Sequence, residues 1–153
     1  MENDARYMHM ALAEAQKAYA MGEVPVGCVI VKDSQIIARS NNRTKRDCSP
    51  TKHAEILAIE EAGRVLKSDN LTGCDLYVTL EPCPMCAGAI INAKINKVVF
   101  GAFDLNYGAC GSVINLFSIP NTHTPEYYGG IMEDNCSMVL KDFFENIRKQ
   151  KKE

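Results

Sequence analysis

A chain of 153 residues, 46% hydrophobic and 24% charged, fits one globular domain able to bury roughly two-thirds of the surface its unfolded form exposes. A formal net charge of −2 gives no overall attraction for a polyanion, and no apolar run approaches the roughly 20 residues of a membrane span. Seven cysteines, an odd number, and an N-terminus without the basic and apolar stretches of a signal peptide argue against a secreted disulfide framework and for a cytoplasmic protein.

Asp4 is expected to cap a first helix whose Met8, Ala11, Leu12, Ala15 and Tyr19 share one face, with Gly22 ending it. Val24–Val31 reads as a buried strand, turned at Lys32–Gln35 into a second strand, Ile36–Ser40, so that the two form an antiparallel hairpin. The polar, proline-terminated stretch Asn41–Pro50 is a loop. A second helix is expected from Thr51 to about Lys67, burying Ala54, Leu57, Ala58, Ala62 and Val65 and placing His53 and Glu55 in its first turn. A third strand, Leu76–Leu80, leads through a loop to a third helix, Ala87–Lys94, and a fourth strand, Lys97–Ala102. That order makes strands three and four parallel neighbours. A short helical stretch at Val113–Phe117 and a fifth strand around Tyr127 precede a last helix. Asp134 opens it, and Cys136, Val139, Leu140, Phe143, Phe144 and Ile147 form its apolar side. With no internal repeat and no interdomain linker, residues 1–153 read as a single domain. The fold class is α/β, three layers (α/β/α) around a mixed five-stranded sheet.

Two segments carry chemistry. Cys83 and Cys86, separated by two residues, form a pincer for one soft metal ion, and His53 supplies a third ligand. Three protein ligands leave one position of a tetrahedral zinc free for water, the mark of a catalytic site. Glu55 lies two positions from His53, too close to share its helix face, and is placed to exchange protons with that water. Helix N-termini favour the thiolates, and the ensemble suits hydrolytic attack on a carbon that bears an amino group. A closed zinc ribbon would need a second C-x-x-C, which is missing, and a thioredoxin-like redox pair leaves His53 and Glu55 without a role. Structural cysteines with a satisfied core histidine are a further reading, as is a fourth ligand from His9 or His123. Cys28, Cys48, Cys74, Cys110 and Cys136 are expected as free thiols, mostly buried. The basic tail from Arg148 to Lys152 fits either a polyanion contact or a solvated helix end.

His53-Ala54-Glu55 and Pro82-Cys83-Pro84-Met85-Cys86 resemble the zinc-dependent nucleoside and nucleobase deaminase family. Flanking segments are similar, in order along the chain, to the bacterial branch that edits adenosine in tRNA: Glu23–Gly27, Asn42-Arg43, Pro50-Thr51, Tyr77–Cys83, Val98–Ala102, Gly108-Ala109 and Gly111-Ser112. The resemblance implies a cytidine-deaminase-like fold and one zinc ion per subunit held by His53, Cys83 and Cys86, with Glu55 as proton shuttle. It implies attack at C6 of the wobble adenine in a tRNA anticodon stem-loop, an arginine tRNA in the family, and a homodimeric enzyme. Asn42, the backbone N–H of Ala54, Val26 in the Val24–Gly27 loop and Asp104 are implied as substrate contacts. Phe103 stands where the family often has a polar residue, and an aromatic there suits stacking on a flanking base. The chain also carries Asn106 and Thr124 where the family often has basic residues, with Lys45 and Lys52 as local positive charge. A free nucleobase deaminase acting on guanine or cytosine is the alternative. A non-catalytic zinc or RNA-binding module is a third reading, against which Glu55 argues.

Overall fold

In a computed structural model that describes residues 2–152, β1 (Gly27–Lys32) and β2 (Gln35–Asn41) form the antiparallel hairpin. β1 also pairs antiparallel with β3 (Cys74–Leu80), which runs parallel to β4 (Lys97–Ala102). A short β5 (Glu126–Gly129) adds in parallel at the edge, giving the order β2-β1-β3-β4-β5. β1, β3 and β4 are covered on both faces, which is why their sequences are nearly continuous apolar runs, whereas β5 is exposed throughout.

One face of the sheet packs against α2 (Ala54–Leu66) and α3 (Pro84–Ala93), through Cys28, Ile30, Leu76, Val78, Val98 and Phe100. The other packs against α1 (Glu2–Ala20) and α4 (Glu133–Lys151), through Val29, Val31, Tyr77 and Val99. The expected three layers and mixed sheet are therefore present. Helix α1 lies almost directly on the β1 backbone: a Cβ on Gly27 would stand 2.0 Å from the Ala11 carbonyl oxygen and 2.5 Å from the Ala15 nitrogen. Among the described residues no helix is long and apolar enough to cross a membrane.

Several boundaries differ from the sequence expectation, each for a local reason. Helix α1 begins at Glu2, so Asp4 is no cap. Its carboxylate instead accepts from the Tyr77 hydroxyl at 2.7 Å and the Lys97 ammonium at 3.1 Å. β1 starts only at Gly27 because Val24–Val26 turns, with the Val26 N–H on the Val24 carbonyl at 2.9 Å. Helix α2 begins at Ala54, after His53 has taken an extended backbone as its N-cap. Helix α3 begins at Pro84, a residue suited to a first turn because it has no N–H to leave unpaired. Val139 and Leu140 pack against the cores as expected, but Val65 and Phe144, expected on buried stripes, are 54% and 43% exposed, and in α2 Ile59 and Leu66 pack against the core instead. The helical stretch expected at Val113–Phe117 is a 3₁₀ turn at Leu116–Ser118.

Candidate metal centre and active site

His53 is the N-cap of α2, Cys83 is the N-cap of α3, and Cys86 lies in the first turn of α3. Neither side chain acts as a hydrogen-bonding cap; with Cys86 the two converge on one point. His53 Nδ1 stands 3.6 Å from Cys83 Sγ and 3.5 Å from Cys86 Sγ, and the three ligand atoms lie within 4.8 Å of one another. A tetrahedral zinc with bonds of ~2.3 Å to sulfur and ~2.0 Å to nitrogen separates S from N by about 3.5 Å. The donor set and its spacing therefore fit zinc. His123 is spent elsewhere, with Nε2 2.6 Å from the Ile95 carbonyl, and His9 lies outside the cluster.

Charge at this point is already biased toward metal binding. A hydrogen bond from the Cys86 thiol, together with the proximity of His53, overcomes burial and lowers the Cys83 thiol to about 4. The Cys86 thiol, which donates that bond, is driven the opposite way. His53 is raised by its hydrogen bond with Cys83. A bound cation would favour both thiolates and displace their protons.

Glu55 is the next chemical group. It lies in the first turn of α2, is 4% exposed, and burial raises its carboxyl to about 7 although its own backbone N–H and His53 pull the other way. It is not a member of the three-residue ligand cluster. His53, Cys83 and Glu55 border a cavity of about 460 Å³, a size suited to a small ligand or one nucleotide, with Cys86 buried behind them.

Val26, Asn42, Ala54 and Asp104 line this cavity, so four of the five expected contact residues meet there. Asn42 is 7% exposed; its Nδ2 donates to the Val24 carbonyl and its Oδ1 accepts from the Thr44 N–H, both at 3.3 Å. One amide hydrogen and one lone pair remain for a ligand. Phe103 does not line the cavity: its ring packs edge-on against Phe100, with centroids 5.3 Å apart at 88°. Tyr107, 70% exposed, takes a place in the wall instead. Val24, in the expected Val24–Gly27 loop, lines it too, and Thr44, Leu80 and Glu81 complete the lining and were missed from sequence; only the charged Glu81 directly after an apolar strand gave a signal. Of the local cations, Lys52 pairs with Glu60 at 3.7 Å and Arg46 with Glu23 at 3.1 Å.

Comparison with known proteins agrees with this geometry. Residues 1–102 match the profile of the cytidine and deoxycytidylate deaminase zinc-binding region. The tRNA-specific adenosine deaminase of Bacillus subtilis is 45% identical over 153 residues, covering 99% of this chain and 95% of that protein. That of Aquifex aeolicus is 42% identical over 142 residues, covering 93% and 94%. A solved structure from a study of A-to-I editing by tRNA:A34 deaminases superposes with a TM-score of 0.85 at 45% identity, covering 88% of this chain and 99% of the other.

Proposed function

Since the chain belongs to the cytidine and deoxycytidylate deaminase family, we propose that it converts adenosine to inosine by hydrolysis at the wobble position of a tRNA. The observation that carries the reaction is a buried carboxylate, Glu55, standing beside but outside a His/Cys/Cys ligand cluster on an open cavity. The substrate rests on near full-length similarity to tRNA-specific adenosine deaminases.

His53, Cys83 and Cys86 would hold one zinc ion per chain, and the ion, when bound, supplies the Lewis acidity that brings the ionisation of water toward neutral pH. Glu55 accepts a proton from the attacking water and delivers it to N1 of adenine. It then carries the second proton to the amino group, which leaves C6 as ammonia. The C6 carbonyl of inosine remains. A carboxyl lifted to about 7 by burial suits both directions of that traffic near neutral pH. Asn42 offers the base its free amide hydrogen and lone pair, and Val26 and Ala54 form the wall around it. An anticodon loop can splay one base into such a cavity without the unpairing cost that a stem would add. Two copies of the chain, in the cytoplasm, complete the reading.

The test is an anticodon stem-loop carrying a wobble adenosine, incubated beside free guanine and free cytosine. Inosine is expected in the RNA alone. Ammonia from a free base with the RNA untouched would transfer the reading to a nucleobase deaminase. Glu55→Ala is expected to abolish inosine with zinc retained; zinc lost while activity persists would overturn the assigned roles.

A further inference from the structure

We propose that Glu81 is a positioning residue for substrate recognition, its buried carboxylate holding the loop of residues 103–112 so that Asp104 and Tyr107 stand in the cavity wall. The proposal rests on reading that cavity as the substrate site.

Glu81 directly follows β3 and precedes Pro82-Cys83, yet it is 2% exposed. Burying a carboxylate is costly unless its lone pairs are met. Here Oε1 accepts from the Asp104 N–H at 3.1 Å and from the Ser112 hydroxyl. Oε2 accepts from the N–H groups of Cys110 at 3.0 Å and Ser112 at 3.1 Å. Four donors from one loop occupy the roughly four acceptor positions of a carboxylate. Glu81 therefore has no lone pair left for a ligand, although it borders the cavity. Its role is to hold.

The loop needs that hold at its front. Ala109 and Cys110 are buried and anchor the rear, and the Ala109 N–H reaches the Pro82 carbonyl at 2.9 Å. Phe103 packs on Phe100 at the loop's entry, but beyond it Leu105 and Tyr107 are 80% and 70% exposed, so apolar burial does not fix that part of the front. What fixes it is a turn on Asp104, whose Oδ1 accepts from the Asn106 and Tyr107 N–H groups at 3.0 Å, and whose own N–H is tied to Glu81. Space is tight as well: a Cβ on Gly108 would stand 2.5 Å from the Glu81 carboxylate and 2.4 Å from the Asp104 carbonyl oxygen.

Glu81→Gln keeps the shape but presents an NH₂ to a shell made wholly of donors. Expected are unchanged zinc content, KM for the stem-loop raised about tenfold or more, and kcat within about threefold, the loss of at least one charge-assisted hydrogen bond. Amide hydrogen exchange should accelerate at Asp104, Cys110 and Ser112, which a general loss of stability would not single out. Unchanged KM and exchange, or zinc and kcat lost together, would overturn the proposal. Should Glu81→Gln fail to fold, Ser112→Ala removes one donor only, with KM rising about threefold and exchange accelerating at Asp104; no change in either would sink the idea. If the wild type leaves the stem-loop untouched and deaminates a free base, the substrate reading fails. KM is then measured on that base, and the exchange result judges Glu81 independently.

Discussion

Glu23 and Glu55 are both buried carboxylates, and their neighbours send them in opposite directions. Burial raises each. Glu55 rises to about 7 because few donors oppose it. Glu23, with no exposed surface, accepts from the N–H groups of Lys45 at 3.0 Å and Arg46 at 2.8 Å and from Arg46 Nε at 3.1 Å. Those bonds outweigh burial and lower its carboxyl. A depressed carboxyl stabilises the fold fully above its unfolded value of about 4.3, and that contribution is lost as pH falls through the folded value. Glu23→Gln should therefore cost about 2–3 kcal/mol at neutral pH, with the deficit shrinking below about pH 4. Urea unfolding of wild type and variant at both pH values checks this; a deficit independent of pH would count against it. The same variant should reach the site, because Arg46 also donates to the Asn42 carbonyl at 2.7 Å.

At the scale of elements, the contact of α1 with β1 makes Gly27→Ala a sharp test. The new methyl would meet helix backbone, which cannot swing aside as a side chain can, so a cost of about 1–3 kcal/mol is expected. A thermal melt unchanged from wild type would mean that α1 shifts freely. The strands and helices themselves were legible because their apolar periods are strong: β4 is found at Lys97–Ala102 as expected, and the layer order followed from it. The helix starts were less so. His53 and Cys83 are not customary caps, and their side chains meet in the ligand cluster instead of capping the helices. The site divides the same way. His53, Glu55, Cys83 and Cys86 carry a spacing that can be read, whereas Glu23 and Glu81 bind backbone donors 22 to 31 residues away, which no local pattern encodes. Tyr107 lies in an aperiodic loop, and Phe103, the aromatic that drew notice, spends its ring on Phe100.

For the whole molecule, the metal cluster joins α2 to α3, two helices on one side of the sheet that come from separate parts of the chain. Zinc bound to the folded state alone, at about a thousandfold excess over its dissociation constant, adds ~4 kcal/mol, or roughly 10 °C for a domain of this size. Chelation should lower the melting temperature by that order and abolish deamination, with zinc restoring both. Native mass spectrometry of untreated protein should show two chains carrying two zinc ions; a metal-free monomer with full activity would refute that stoichiometry. The Glu81 bridge also bears on descent. The shared family region ends at Ala102, the last residue of β4, and Asp104 and Tyr107 come just after it. The ligand cluster, Glu55 and the wall residues Val26, Asn42 and Ala54 thus lie within the shared region, and Asp104 and Tyr107 complete the wall from the adjoining stretch, joined to it by one carboxylate and a few backbone bonds. A lineage can then rewrite residues 103–107 to suit a new base while inheriting the hydrolytic centre intact, provided that the donors facing Glu81 are kept.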